Sequence, residues 1–134
     1  MDTLGQLEAL AILRDSDRTD IEHETAIHAL AGYTDDETIA VLVQTLHDDE
    51  FGVRWAAANA LAYCGKAALL PVLRDLVAHG TGVNLREVAQ VALSKNTDPG
   101  VREISKPVLA AMKGPAADLA TSQAAYELLK ELEN

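Results

Sequence analysis

Three leucines recur at a near-constant interval and constrain what the chain can fold into. Leu30, Leu61 and Leu93 stand 31 and 32 residues apart, in the segments DIEHETAIHALAGY, EFGVRWAAANALAYCG and VNLREVAQVALSKN. One position before each lie Ala29, Ala60 and Ala92. Three before lie Ile27, Ala58 and Gln90; four before, Ala26, Ala57 and Ala89; seven before, His23, Arg54 and Arg86. Offsets of three, four and seven share one helix face. Small residues on that face let a neighbouring helix approach closely. A fixed period in the range of about 20–50 residues signals stacked supersecondary units, none able to bury its apolar face alone.

Each anchored helix has a partner before it: LGQLEALAILRD, TIAVLVQTLHD and ALLPVLRDLVAHG. Their apolar residues follow helical spacing. Leu4, Leu7, Leu10 and Ala11 with Ile12 or Leu13 form the expected stripe of the first, and Ile39, Leu42, Val43 and Leu46 that of the second. Turn residues separate the elements: Thr34-Asp35-Asp36 and Cys64-Gly65-Lys66 between pairs, Asp48-Asp49 and His79-Gly80-Thr81-Gly82 within them. Asp35 or Thr34 is placed to cap the second pair. In the tail, Asp98 caps a helix with Pro99 at its first position, Pro107 kinks it, and Gly114-Pro115 ends it. A last helix, AADLATSQAAYELLKELEN, carries Leu119, Tyr126, Leu129 and Leu132 on its expected apolar face. Hydrophobic residues make up 49% of the chain but aromatics only 4%, which favours helices over a sheet. The expectation is all-α: eight helices in four antiparallel pairs, stacked as repeating units. One domain spans 1–134, with approximate repeats 2–33, 35–64, 67–95 and 98–133.

Charge narrows the partner. Residues 1–52 hold 13 acidic and 2 basic side chains, while residues 53–134 hold 8 acidic and 9 basic ones. Phosphate backbones and anionic membranes need clustered Lys and Arg, so neither nucleic acid nor a membrane surface is expected. The acidic half either keeps the chain soluble or docks something basic. A single cysteine, Cys64, excludes an internal disulfide. With no signal-peptide pattern in MDTLGQLEAL and no run of about 20 apolar residues, a cytoplasmic protein is expected. No Gly-rich phosphate loop, nucleophile elbow or Cys-x-x-Cys occurs, so no cofactor is implied.

The stretch DDEFGVRWAAANALAYCGKAALLPVLRDLV resembles a HEAT-like repeat of the phycobilisome-lyase type. The matching residues are Asp48 in the turn, Val53-Arg54 opening the second helix, Ala57, Leu61, Gly65, and Pro71 in the next first helix. The resemblance is strongest over residues 37–95 and weakest after 96. It implies a right-handed α-solenoid, an armadillo-like superhelix with first helices on the convex side and second helices on the concave side. It also implies a non-enzymatic protein-binding role. The alternative it implies is a metal-dependent hydroxylase-like or bilin-lyase-like protein. In the hydroxylase branch, His-Glu pairs in several second helices bind iron.

His23-Glu24 looks like one such pair, with His28 four residues after Glu24. His23, Glu24 and His28 are therefore the weak metal candidates. Against them, His23 aligns with the repeat arginine, and shifting the register by one residue replaces the anchor leucine with Ala29. The other units offer Arg54-Trp55 and Arg86-Glu87, or Trp55-Ala56 and Glu87-Val88, where a di-iron site needs several convergent ligands. HETAIH also misses the HExxH zinc spacing. A structural role is the stronger reading. Asp17 lies six residues before His23, as Asp48 does before Arg54, and in HEAT-like repeats such an Asp and Arg pair across the turn. Cys64 reads as a small packed residue.

If second helices line the groove, positions six and two before each anchor face into it: Glu24 and His28, Trp55 and Asn59, Glu87 and Val91. Tyr63 adds to the middle helix. The expected surface has Trp55, Asn59 and Tyr63 at its centre and Glu24, His28 and Glu87 at its rim. Its expected partner is another protein, one with a basic segment. The protein itself is expected to be a monomer or to self-associate weakly through its ends.

Overall fold

A computed structural model describes residues 4–79 and 82–133. Among them the chain forms nine α-helices and no strand. These are α1 (Gln6–Arg14), α2 (Asp20–Leu30), α3 (Asp36–Thr45), α4 (Phe51–Tyr63), α5 (Leu69–His79), α6 (Val83–Ser94), α7 (Pro99–Ile104), α8 (Lys106–Lys113) and α9 (Ala117–Glu133). A 3-10 turn, Gly65–Ala68, leads into α5. Gly80 and Thr81 of the expected third turn lie outside the described residues.

Helix starts follow side-chain chemistry. Thr19 and Glu22 form a capping box on α2: Thr19 Oγ1 accepts from the Glu22 amide, and the Glu22 carboxylate accepts from the Thr19 amide, each at 3.1 Å. Asp35 caps α3 by accepting from the Thr38 amide at 3.1 Å. Gln6 reaches across from α1 to the same cap, donating to Asp35 at 2.6 Å and to Thr38 Oγ1 at 2.9 Å. Asp98 caps α7, with Pro99 at the first position as expected. After α2 and α4 the chain needs left-handed backbone, which Gly32 (φ +94°) and Gly65 (φ +62°) supply.

The helices pack in two layers. α1, α3, α5 and α9 stack in one; α2, α4, α6 and α8 stack in the other. The anchors Leu30, Leu61 and Leu93 are buried at the interface, together with Ala26, Ala57 and Ala89. Leu10, Leu42, Leu73 and Leu76 meet them from the first layer. α4 lies between α2 and α6, and Ala56, Ala57, Ala58, Ala60 and Ala62 are all buried along it. The absence of bulk on both flanks is what allows three helices to stack side by side.

Two locks repeat at the ends of second helices. Cys64 Sγ donates to the carbonyls of Ala60 and Tyr33, at 3.3 and 3.4 Å. Asn96 Nδ2, one repeat later, donates to the carbonyls of Ala92 and Gly65, at 3.3 and 3.1 Å. Each side chain thus binds its own helix four residues back and the preceding unit 31 residues back. Cys64 is packed, as expected.

The tail departs from the expected fourth pair. The helix containing Pro107 is broken rather than kinked: α7 ends at Ile104, and α8 restarts with Pro107 in its first turn, where proline needs no amide hydrogen. α8 then lies beside α6 in the second layer, and α9 returns across α5 in the first. The layer order is therefore reversed in the last unit, which folds back as a cap. Arg74 on α5 pairs with Glu133 at 2.9 Å, and Ser122 Oγ donates to the Leu76 carbonyl at 3.1 Å.

The stripe of α9 is also rotated. Leu119 and Tyr126 are exposed, while Thr121, Ala125, Leu128 and Leu129 are buried and Leu132 partly so. Leu129 and Leu132 thus pack as expected, while Thr121, Ala125 and Leu128 replace Leu119 and Tyr126 in the buried face. In α1, Leu7 and Ala11 face outward; Ala9 and Leu10 form the buried contact, with Leu4, Ile12 and Leu13 packed around them.

Candidate functional site

Turns that lead into α2, α4 and α7 are held by a recurring device. Asp48 Oδ1 accepts from the Glu50 amide at 2.9 Å, closing the turn before α4. Arg54, from the first turns of α4, then donates through Nη1 to the backbone carbonyls of Asp48 and Asp49, at 2.9 and 3.0 Å. In the tail, Asn96 Oδ1 accepts from the Asp98 amide at 2.9 Å, and Arg102 Nη1 donates to the Asn96 carbonyl. Before α2, Asp15 Oδ1 accepts from the Asp17 amide at 3.0 Å, and His23 Nε2 meets the Asp15 carbonyl at 2.8 Å. His23 therefore does the work of the repeat arginine. The expected Asp–Arg carboxylate pairs do not form; the carboxylates close the turns, and the long side chains hold carbonyls.

This geometry separates the metal candidates. A carbonyl oxygen only accepts, so the His23 Nε2 beside it carries the proton and donates. His23 is buried at the turn, whereas His28 is exposed. The Glu24 carboxylate points toward α4, 3.5 Å from where a Cβ on Gly52 would lie. Among the described residues, no group of three or more His, Cys, Asp or Glu side chains is disposed to hold a metal ion.

The face of the second helices presents aromatic side chains. Trp55 is 42% and Tyr63 66% exposed. Asn59 lies between them, partly buried, its Nδ2 donating to the Trp55 carbonyl at 2.9 Å. Phe51, 46% exposed, stacks against Trp55 with ring centroids 5.7 Å apart and planes tilted by 32°. The Arg54 guanidinium carbon lies 5.6 Å from the Phe51 ring centroid. Sequence reasoning missed Phe51, although its spacing of four from Trp55 was available. Glu24 is partly exposed and His28 and Glu87 are exposed on flanking helices, but Val91 is buried and does not join them.

Two further features escaped the sequence reading. His47 and His79, at the ends of α3 and α5, meet edge to face with centroids 5.1 Å apart, and His47 Nε2 lies 2.8 Å from Asp75 Oδ2. Their separation of 32 residues equals the repeat, which could have paired them. On the first-helix layer, a groove of about 650 Å³ runs between α3 and α5, lined by Ile39, Ala40, Val43, Pro71 and Ala78 with Asp75 at its edge. No helix among the described residues is long and apolar enough to cross a membrane.

Paired helices stacked in two layers, with recurring buried leucines and turn locks, define a helical repeat protein of the solenoid class. A family model for HEAT repeats matches residues 7–94, more than half of the chain. The chain belongs to the HEAT repeat family. Comparison with curated proteins and with solved structures gave no significant match.

Proposed function

We propose that this protein is a non-enzymatic scaffold or adaptor that binds another protein on the face of its second helices. The observation that carries this reading is the Phe51–Trp55 pair, stacked and nearly half exposed on a helix otherwise sided with buried alanines. Large aromatics at a surface desolvate well at little entropic cost and serve as interface anchors. Trp55, Asn59 and Tyr63 form the centre, and Glu24, His28 and Glu87 the rim. The acidic residues of the first 52 positions favour a partner with a basic segment and speed its encounter. HEAT repeats commonly bind proteins, which supports the reading at the level of the family.

The test is capture from native lysate by wild type and by a Trp55→Ala variant shown to be folded. A protein retained by wild type and lost by the variant supports the reading. Equal retention by both moves the surface elsewhere, with the groove between α3 and α5 as the next candidate.

A further inference from the structure

We infer that the first turn of α4 and Glu24 form a seat for one cationic side chain, a lysine or arginine of the basic partner segment. The inference rests on the proposed role of the second-helix face and names what that face recognises. Three observations meet at Gly52. First, it has no side chain, and the Glu24 carboxylate of α2 lies over it, all three nearest atoms 3.5 to 3.6 Å from a Cβ built there. Second, Phe51 precedes Gly52, Trp55 follows it by one helical turn, and the two rings stack with their outer surfaces open to solvent. Third, Phe51 already takes a guanidinium from within the protein, that of the buried Arg54. Arg54 is held beneath by the carbonyls of Asp48 and Asp49, so the exposed surface of Trp55 is left for an external cation.

A carboxylate beside an aromatic face is the chemistry that selects a cation. The ring quadrupole attracts the charge, the carboxylate neutralises it, and the apolar stem of Lys or Arg covers the ring. An acidic occupant would meet the Glu24 carboxylate, and a purely apolar one would make no charge contact with it.

Trp55 is the only tryptophan, so its fluorescence reports on the seat directly. The probes are nona-lysine and nona-arginine peptides, with nona-glutamate as the control. Saturable emission changes are expected with both basic peptides and none with the acidic one. Glu24→Gln should weaken binding by about two- to fivefold, the range of one exposed ionic or cation–π contact. Glu131→Gln, the same charge change at an exposed position on α9, should have a smaller effect. Phe51→Ala, which keeps the reporter, should match Glu24→Gln; should it fail to fold, the comparison of the two Glu variants decides. Equal weakening by Glu24→Gln and Glu131→Gln would reduce the effect to diffuse charge attraction and overturn the seat, as would a silent Trp55. The two readings fail separately. A partner lost by Trp55→Ala but bound by Glu24→Gln with the same Kd as by wild type would leave the scaffold standing and remove the seat.

Discussion

His23 donates from Nε2 to the backbone carbonyl of Asp15 across 2.8 Å, in the place where Arg54 holds Asp48 and Arg102 holds Asn96. A histidine that looks like half of a metal site is therefore part of the turn. Truncating it leaves a part-buried carbonyl without a partner, at a cost of about 1–3 kcal/mol. His23→Ala should lower the urea midpoint accordingly. His23→Arg, which restores the repeat residue, should stay within about 1 kcal/mol of wild type. An Ala variant as stable as wild type would remove the turn-lock account.

Leu61 and Leu7 provide a contrast within one residue type. Leu61 is fully buried between the layers, and Leu7 is 80% exposed. Leu61→Ala should destabilise by about 2–5 kcal/mol through lost burial and a residual cavity. Leu7→Ala should fall within about 0.5 kcal/mol of wild type. Denaturant unfolding of both proteins measures the difference.

The capping box of α2 carries a pH signature. The hydrogen bond from the Thr19 amide, followed by that from Arg18, holds the Glu22 carboxyl below its ordinary value of 4.5. A carboxyl depressed in the folded state stabilises above its unfolded pKa. That contribution is lost as pH falls through the lower folded value. Wild type should therefore lose stability on acidification below the ordinary carboxylate range, and Glu22→Gln should show a shallower decline there. Thermal melts across that window read the slopes. Parallel slopes would show that the box does not couple to protonation.

Burial pushes the Cys64 thiol above its ordinary pKa, and its Sγ is committed to two carbonyls. A thiolate is the reactive form, so native Cys64 should resist a disulfide reagent at neutral pH and react rapidly once urea unfolds the chain. Fast reaction in the native state would mean that the lock between α2 and α4 opens readily.

What could be read from residue order was whatever repeats. Leu30, Leu61 and Leu93 announced the interface because each unit must bury the same face, and all three are buried. The layer reversal at α8 and α9 was hidden. Pro107 marks a break but not its direction, and which side of α9 packs is decided by α5 and α8 rather than by α9 itself. At the surface, position alone placed Trp55 outward. The Phe51 stack follows from a spacing of four within α4 that the sequence offered, whereas the approach of Glu24 to Gly52 depends on how α2 lies against α4. His47 and His79 shared the repeat spacing, yet only packing brought their rings together.

The central claim is that the second-helix face receives the partner, and Trp55 can report on this without mutation. The most direct measurement is iodide and acrylamide quenching of Trp55 fluorescence in the free protein and in its complex with a captured partner that lacks tryptophan. The account predicts ready quenching of the free protein, where Trp55 is 42% exposed, and a marked loss of quenching in the complex. Equal quenching in both states would contradict it and place the partner on another face.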